Sequence, residues 1–314
     1  MTENKELHVV IGASGGLGNA VVRELVDRRK LVRAVNRSGK ADVPDGVEVV
    51  KGDVTDNKTA RQVCQGATVV YNCANPPYTK WPEMFPPILD GIIEGAASAE
   101  AKLVFGDNLY MYGPVEGPIS EDLSYNAAGR KGKTRAQMAK TLMEAHKSGK
   151  VRATIGRASA FFGPGVINSS LGEQVFGATL RGKKVKVLGN LDVPHTYTFV
   201  RDFGKGLVTL GEREEAIGKI WHIPSAETLT TRQFLELIFE EAGKTPKVMA
   251  APRFLVKIMG LFNPIMRELK EMLYEFEKPY IVDHSKYKNI FGEDTTPHRE
   301  AIRQTLDWYR KHPG

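Results

Sequence analysis

The residues whose types and spacing could do chemistry begin at Gly12-Ala-Ser-Gly-Gly-Leu-Gly18. This stretch follows the apolar run Leu7–Ile11 and runs into Leu17, Val21 and Leu25 at helical spacing. A glycine-rich turn between a strand and a helix lets the backbone approach a pyrophosphate. The helix start then presents unpaired N–H groups and the positive end of its dipole. Gly12, Gly15 and Gly18 fit G-x-x-G-x-x-G, whereas Gly12, Gly16 and Gly18 fit G-x-x-x-G-x-G, and the sequence alone supports both. Ser14 and Leu17 lie inside the loop and count with it as contacts to a dinucleotide.

Next come the residues that would meet the rest of such a ligand. A site for NAD usually carries Asp or Glu after the second strand, to bind the ribose 2′-hydroxyl. Here that strand ends at Val35-Asn36-Arg37-Ser38, without an acid. Arg37 can instead pair with a 2′-phosphate, with Asn36, Ser38 and Lys40 beside it. NADP is therefore the expected cofactor, ahead of NAD. After the third strand, Asp53 of Gly52-Asp53-Val54 can accept from an adenine amino group. An N-cap for the helix from Asn57 is an equal reading of the same aspartate. Val54, and Ala74 and Asn75 after the fourth strand, complete the candidate cofactor contacts.

The elements that must position these residues follow from the apolar pattern. Leu7–Ile11, Leu31–Val35, Val47–Val50, Val69–Asn72, Leu103–Phe105 and Val151–Arg157 are strand-like runs. Helical stretches at Asn57–Gln65, Ile88–Ala101 and Lys133–Lys147 alternate with them, and the prolines around Trp81 read as a connection. Such alternation builds βαβ units, and right-handed crossovers make the α/β fold a doubly wound parallel sheet. Regular alternation ends after Gly163-Pro164-Gly165. Thr230 and Gln233 read as a capping box for a helix stopped at Gly243. Thr296-Pro297 reads as a cap and first-turn proline for a last helix. The expected division is a core of residues 1–163 and 186–222, with a smaller, mostly helical C-terminal cap of 164–185 and 223–314.

These motifs resemble the short-chain dehydrogenase/reductase superfamily, in its extended, epimerase/dehydratase-like branch. The glycine loop, Gly52-Asp53-Val54, Asn72-Cys73-Ala74, Phe105-Gly-Asp-Asn-Leu-Tyr-Met-Tyr-Gly113, Arg157-Ala-Ser-Ala-Phe-Phe-Gly-Pro-Gly165 and Phe199-Val-Arg-Asp202 occur in the order of that branch. The resemblance covers the first two-thirds of the chain and implies a Rossmann core, a nicotinamide cofactor and a Ser/Thr, Tyr, Lys active site. It also favours the G-x-x-G-x-x-G reading. The Tyr-x-x-x-Lys window matches Gly129-Arg-Lys-Gly-Lys133, so Lys133 is present and Gly129 stands at the tyrosine position. The serine position is Asn108. Glycine cannot transfer a proton, which marks the chain as an atypical member.

Three functions are compatible with that departure. One is NADP(H)-dependent oxidoreduction of a small carbonyl or conjugated substrate, with Tyr110 or Tyr125 as relocated acid and Asn108 orienting a carbonyl. Another is a redox-sensing regulator that binds NADP(H) without turnover. The third is nucleotide-sugar epimerase or dehydratase chemistry. Packing is the competing role for each tyrosine, and fold alone does not decide among the three. His195 and Tyr197 are read equally as cleft or ordinary loop residues.

The 314 residues carry 44 Lys+Arg against 37 Asp+Glu, a formal charge of +7, with 41% hydrophobic and 26% charged residues. That composition excludes a disordered or collagen-like chain. No Lys/Arg block or nucleic-acid motif accompanies the charge, so a small anionic ligand is the expected partner and nucleic acid is not. The seven histidines lack metal-ligand spacing, no Gly-x-Ser-x-Gly elbow occurs, and no metal site is expected. Cys64 and Cys73 form no Cys-x-x-Cys pair and suit a reducing cytoplasm. The start MTENKELHVV does not read as a signal peptide, and no apolar run is long enough to span a membrane. Phe254–Met266 is apolar and reads first as a buried cap helix, with a pocket wall, the face of a homodimer or contact with a membrane surface as the alternatives.

Overall fold

The computed structural model of the chain describes residues 6–251 and 271–313. The Phe254–Met266 stretch lies outside them.

A seven-stranded sheet carries the molecule. It contains β1 (Leu7–Ile11), β2 (Leu31–Asn36), β3 (Glu48–Lys51), β4 (Ala67–Asn72), β5 (Lys102–Asp107), β6 (Arg152–Arg157) and the edge strand Ile220–His222. From the Ile220–His222 edge the order runs β6, β5, β4, β1, β2, β3, with every neighbouring pair parallel. The order reverses between β1 and β4, which opens a crevice above their carboxyl ends. The doubly wound α/β fold read from the sequence is the fold observed.

Alternation along each strand sends side chains to two helical layers. In β1, Val9 and Ile11 face one core, with Trp81, Phe85 and Leu89 of α3 (Trp81–Ser98) and Met138 and Leu142 of α4 (Arg130–Lys147). Val10 faces the other core, with Val21 and Leu25 of α1 (Gly16–Asp27) and Leu207 and Leu210 of the helix Val200–Glu212. Between β3 and β4, α2 (Asn57–Cys64) is N-capped by Asp56, whose carboxylate accepts from the Thr59 N–H at 2.8 Å. Cys64 and Cys73 are free and buried.

Helix α3 starts well before the Ile88 onset that the sequence suggests. Pro82 is harmless in its first turn, but Pro86 and Pro87 lie inside the helix. Each interior proline removes a hydrogen bond, at a cost of about 3 kcal/mol. Complete burial of Phe85 and near-complete burial of Trp81 and Leu89 offset that cost.

The C-terminal part has its own core. Phe162, Phe176, Val185, Tyr197, Phe234, Ile238, Ile302 and Leu306 meet there. The helix Thr231–Ala242 carries the expected capping box at Thr230 and Gln233, and ends at Gly243 in the left-handed conformation. The strand Val185–Leu188 pairs with Val248–Ala251, so the junction expected at residue 186 falls inside a strand of this part. The final helix, His298–Lys311, takes Pro297 as its N-cap residue. Thr296 does not cap it. Its N–H and hydroxyl go to Asp202, at 2.9 and 2.8 Å, tying this helix to the core.

One ionic knot holds the carboxyl edge of the sheet. Asp107, at the end of β5, is buried against Arg157 of β6 and Arg135 of α4, each at 3.3 Å. Arg157 is fully buried; it donates to the Tyr112 and Tyr125 hydroxyls at 2.6 and 2.7 Å, and lies over both rings. Burial works against its charge, but Asp107 and the phenols prevail and push its pKa up. Tyr112 continues to His222 at 3.0 Å, and burial, then the Arg157 charge, hold that imidazole neutral with a pKa of about 3.

Breaking a buried ion pair strands its partner charges. Asp107→Asn should therefore destabilise the protein by about 3–5 kcal/mol, read from urea unfolding. A loss below about 1 kcal/mol, the scale of an exposed pair, would show that the knot does not hold the edge.

Candidate functional site

The glycine loop closes β1 and opens α1 at the crevice. Gly12 has φ +86°, and a Cβ there would lie 2.6 Å from the Ala74 nitrogen. At Gly18 a Cβ would lie 2.3 Å from the Gly12 carbonyl oxygen. Gly16 packs on the later glycine turn, where a Cβ would meet Val166 at 2.8 Å. Those three glycines serve the fold. Gly15 is different: its φ is −82°, and a Cβ would meet only the Gly12 oxygen, at an ordinary 3.5 Å. Nothing among the described residues requires glycine at 15. A ligand backed against the loop would, and α1 presents there an N-terminus with no side-chain cap and no acid in the first turn. Ser14 and Gly15 are exposed here, while Leu17 packs beneath at Gly106. The residues present thus fit a dinucleotide diphosphate.

The second strand ends on an Asn-centred turn. Asn36 Oδ1 accepts from the Ser38 hydroxyl at 2.7 Å and from the Ser38 and Gly39 amides at 3.0 and 2.8 Å. Asn36 and Ser38 are thereby tied to each other, while Arg37 and Lys40 are exposed. Among the described residues Arg37 makes no ion pair. Asp53 is exposed too; the Thr55 amide and hydroxyl, at 3.0 and 2.8 Å, hold its pKa down. The N-cap role falls to Asp56. Val54 is buried, Ala74 donates its N–H to Asn72 at 3.0 Å, and Asn75 is exposed.

Beyond the crevice the chain turns through Asn108–Gly113. Asn108 Oδ1 accepts from the Tyr110 N–H at 3.1 Å. The Tyr125 hydroxyl is engaged by Arg157, inside the ionic knot. Tyr110 stacks on Trp81 with ring centroids 5.8 Å apart, and burial raises the pKa of its phenol and of the Tyr78 phenol. Lys133 is exposed. Lys131 is the buried lysine of this helix start, its Nζ 4.1 Å from the Tyr78 ring centre. Two residues along a helix are about 200° apart, so the two lysines face opposite ways. Burial lowers the Lys131 pKa, and Glu271 works against that shift.

Glu275 completes this wall and was not visible in the sequence. Its carboxyl is buried and accepts from the Tyr280 hydroxyl at 3.3 Å. Burial raises its pKa to about 8. His195 and Tyr197 belong to the packing behind it. His195 is bonded to the Glu275 carbonyl at 3.1 Å and stacked on Tyr197, Phe276 and Tyr280. Tyr197 is bonded to Thr231 at 2.7 Å. Sequence spacing gives no sign of Lys131, Glu271 or Glu275, because the contacts that single them out join segments far apart along the chain.

A doubly wound sheet with a glycine cradle at its switch point defines a dinucleotide-binding α/β protein. The chain belongs to the NAD dependent epimerase/dehydratase family, whose family model matches residues 8–223. No curated protein matches it. Solved structures share the fold at low identity. UDP-glucose 4-epimerase of Thermotoga maritima, solved with UDP-glucose, is 17% identical with TM-score 0.80, over 98% of this chain and 100% of that one. The dTDP-glucose 4,6-dehydratase DesIV of Streptomyces venezuelae, solved with NAD, is 16% identical with TM-score 0.79, over 97% of each chain. UDP-glucose 4-epimerase of Thermus thermophilus, also solved with NAD, is 20% identical with TM-score 0.77, over 97% and 99%. Among the described residues no helix is long and apolar enough to cross a membrane.

The two kinds of glycine should separate in mutants. Gly18→Ala should lower the melting temperature by several degrees, whereas Gly15→Ala should leave it unchanged and weaken nicotinamide-dinucleotide binding about tenfold or more, roughly 1.4 kcal/mol. Calorimetric titration beside thermal melts distinguishes them; unchanged affinity in Gly15→Ala rejects the cradle. For Glu275, a native pKa near 8 against an ordinary 4.5 means the folded state binds the extra proton between those values. Its contribution is present at low pH and lost as pH rises through that window. Glu275→Gln should match the parent's melting temperature near pH 4 and exceed it progressively up to pH 8. A pH-independent difference would count against a neutral carboxyl.

Proposed function

We propose that the chain is an NADP(H)-dependent oxidoreductase acting on a small organic carbonyl or conjugated substrate. The observation that carries this reading is the Gly15 cradle at the carboxyl end of β1, on the sheet edge where Tyr78, Trp81 and Tyr110 gather after β4 and β5. The loop from Gly12 to Gly18 binds the diphosphate, with Ser14 exposed on it. Arg37, in no ion pair among the described residues and close in sequence to Lys40, takes the 2′-phosphate, while Asn36 and Ser38 shape the turn that presents it. Asp53 and Val54 flank the adenine, and Ala74 and Asn75 flank the cofactor at the end of β4. When bound, NADP(H) supplies or accepts hydride.

On the substrate side, the chain orients and excludes water. Asn108, its amide oxygen occupied by Tyr110, turns its amide N–H groups toward a substrate carbonyl. Lys131 reaches the aromatic wall and Lys133 faces solvent, so the cleft lysine in this reading is Lys131. Tyr110 packs against the substrate, whereas Tyr125 acts by holding Arg157. The aromatic faces suit a planar apolar substrate. Nucleotide-sugar epimerase or dehydratase activity is the second reading, favoured by the family and by the neighbours solved with UDP-glucose or NAD.

The test has two arms. Titration should show NADP binding more tightly than NAD, and Arg37→Ala should weaken NADP about 10–100-fold, as expected for a charge-assisted hydrogen bond of about 1.5–3 kcal/mol, while leaving NAD unchanged. Equal affinities overturn the NADP assignment. NADPH oxidation is then followed with phenanthrenequinone, cyclohexenone and nitrobenzaldehyde, and sugar conversion with UDP-glucose and dTDP-glucose. Lys131→Ala should abolish turnover and Lys133→Ala should not. Conversion of a nucleotide sugar alone would establish the second reading.

A further inference from the structure

Gly129 is the N-cap residue of α4, with φ −79° and ψ 164°, a conformation open to any residue. Its backbone does not call for glycine. The space beside it does, because a Cβ on residue 129 would lie 1.9 Å from Glu271 Oε1 and 2.2 Å from its carboxyl carbon. The carboxylate of a distant segment occupies the volume that a side chain at 129 would fill. Glu271 Oε1 also accepts from the Lys131 N–H at 2.7 Å. Its field reaches Lys131, Tyr78 and Tyr274, so it stands at the aromatic wall.

Topology places the carboxylate at the functional edge. In a parallel sheet the crossover helices run against the strands, so α4 begins at the carboxyl edge that also carries the glycine loop. The adjoining Gly132 abuts the Tyr110 carbonyl, where a Cβ would come within 2.5 Å, which fixes α4's start beside the Asn108–Gly113 turn. A carboxylate therefore stands at the start of α4, bonded to the Lys131 N–H, with Tyr78 and Tyr274 within its field.

We propose that Glu271, seated in the space left by Gly129, is the proton-exchanging group of this site. The inference rests on the oxidoreductase reading. In the oxidation direction the substrate O–H and C–H bonds break. The proton passes to the Glu271 carboxylate, the hydride passes to the oxidised nicotinamide dinucleotide, and the C=O bond forms. The reverse reaction takes the same proton back. Lys131 acts through Glu271, its N–H aiming the carboxylate. Among the described residues, Arg130, Glu83, Tyr78 and Tyr274 also face this pair.

Two variants attack the proposal from opposite sides. Glu271→Gln keeps the shape and removes the exchangeable proton. Gly129→Ala keeps the carboxylate and takes away its seat, at a position where the backbone tolerates alanine. Both should lower NADPH-dependent reduction of phenanthrenequinone about 100-fold or more, the lower end for general acid–base catalysis, while NADP affinity by calorimetry stays unchanged. A readout independent of turnover is the Lys131 amide proton, followed by NMR. Its shift should titrate with a carboxylate in the parent protein and stop titrating in both variants. Parental turnover in Glu271→Gln, or a Lys131 amide indifferent to both substitutions, overturns the proposal alone. A parent protein that binds NADP and reduces none of the carbonyl, enone or quinone probes overturns it together with the reading it rests on.

Discussion

Asp107 is the one side chain on which the carboxyl edge depends. Two arginines, from β6 and α4, converge on a carboxylate that solvent does not reach. A lone buried arginine would be prohibitively costly. Here one carboxylate and the electron-rich faces of Tyr112, Tyr125, Trp81 and Phe85 surround the two cations. Because each arginine belongs to a different element, the knot sets the spacing of β5, β6 and α4 at the end of the sheet where ligands bind. Asn108 follows Asp107 directly, and Lys131 lies one turn ahead of Arg135 on α4. The Asn108–Lys131 side of the carboxyl edge is therefore built outward from buried charges, while the glycine loop opposite is built from backbone.

The nucleotide side works through close approach. Gly12 and Gly18 allow the first turn to fold on itself, and Gly16 lets α1 meet the loop at Gly165-Val166. The two glycine spacings are not rivals, since each glycine answers a different neighbour. The far end of the same side shows why composition was a poor guide to ligands. Many basic residues are paired with acids, such as Arg28 with Glu24 and Glu212, and Arg299 with Glu240 and Glu241. The excess charge is spread over such a surface, so Arg37 is informative for its position, not for its contribution to +7.

Much of the fold was legible because period-two and period-3.6 patterns are local. The strands, the Thr230 capping box and the Gly243 stop all follow from residues within a few positions of one another. Where local rules failed, tertiary packing had overridden them. Pro86 and Pro87 argue against a helix, yet α3 runs through both because Trp81 and Phe85 are buried on one side of it. Thr296-Pro297 has the form of a cap, but Asp202 takes the Thr296 hydroxyl. The motif-matched Lys133 is exposed, and the buried lysine two positions earlier carries no mark in the sequence. Glu271 and Glu275 meet α4 and the Tyr78–Tyr110 wall from a segment far along the chain, a proximity that spacing does not encode.

Gly15 and Gly129 bring these two sides under one rule. Both are N-cap residues of helices that begin at the carboxyl edge, with nearly the same backbone: φ −82° and ψ 161° at the first, φ −79° and ψ 164° at the second. Neither helix has a side-chain cap. Glycine loses more chain entropy on folding than any other residue, and a Ser, Asp or Asn in either place would cap the helix better by a few tenths of a kcal/mol. Stability alone would replace both glycines. At Gly129 a carboxylate of the chain itself occupies the freed volume and bonds the helix start. At Gly15 no described side chain stands there, although the helix end carries the same positive dipole. The filled site is the precedent within this fold for the proposal at the open one: an anion brought up against bare backbone.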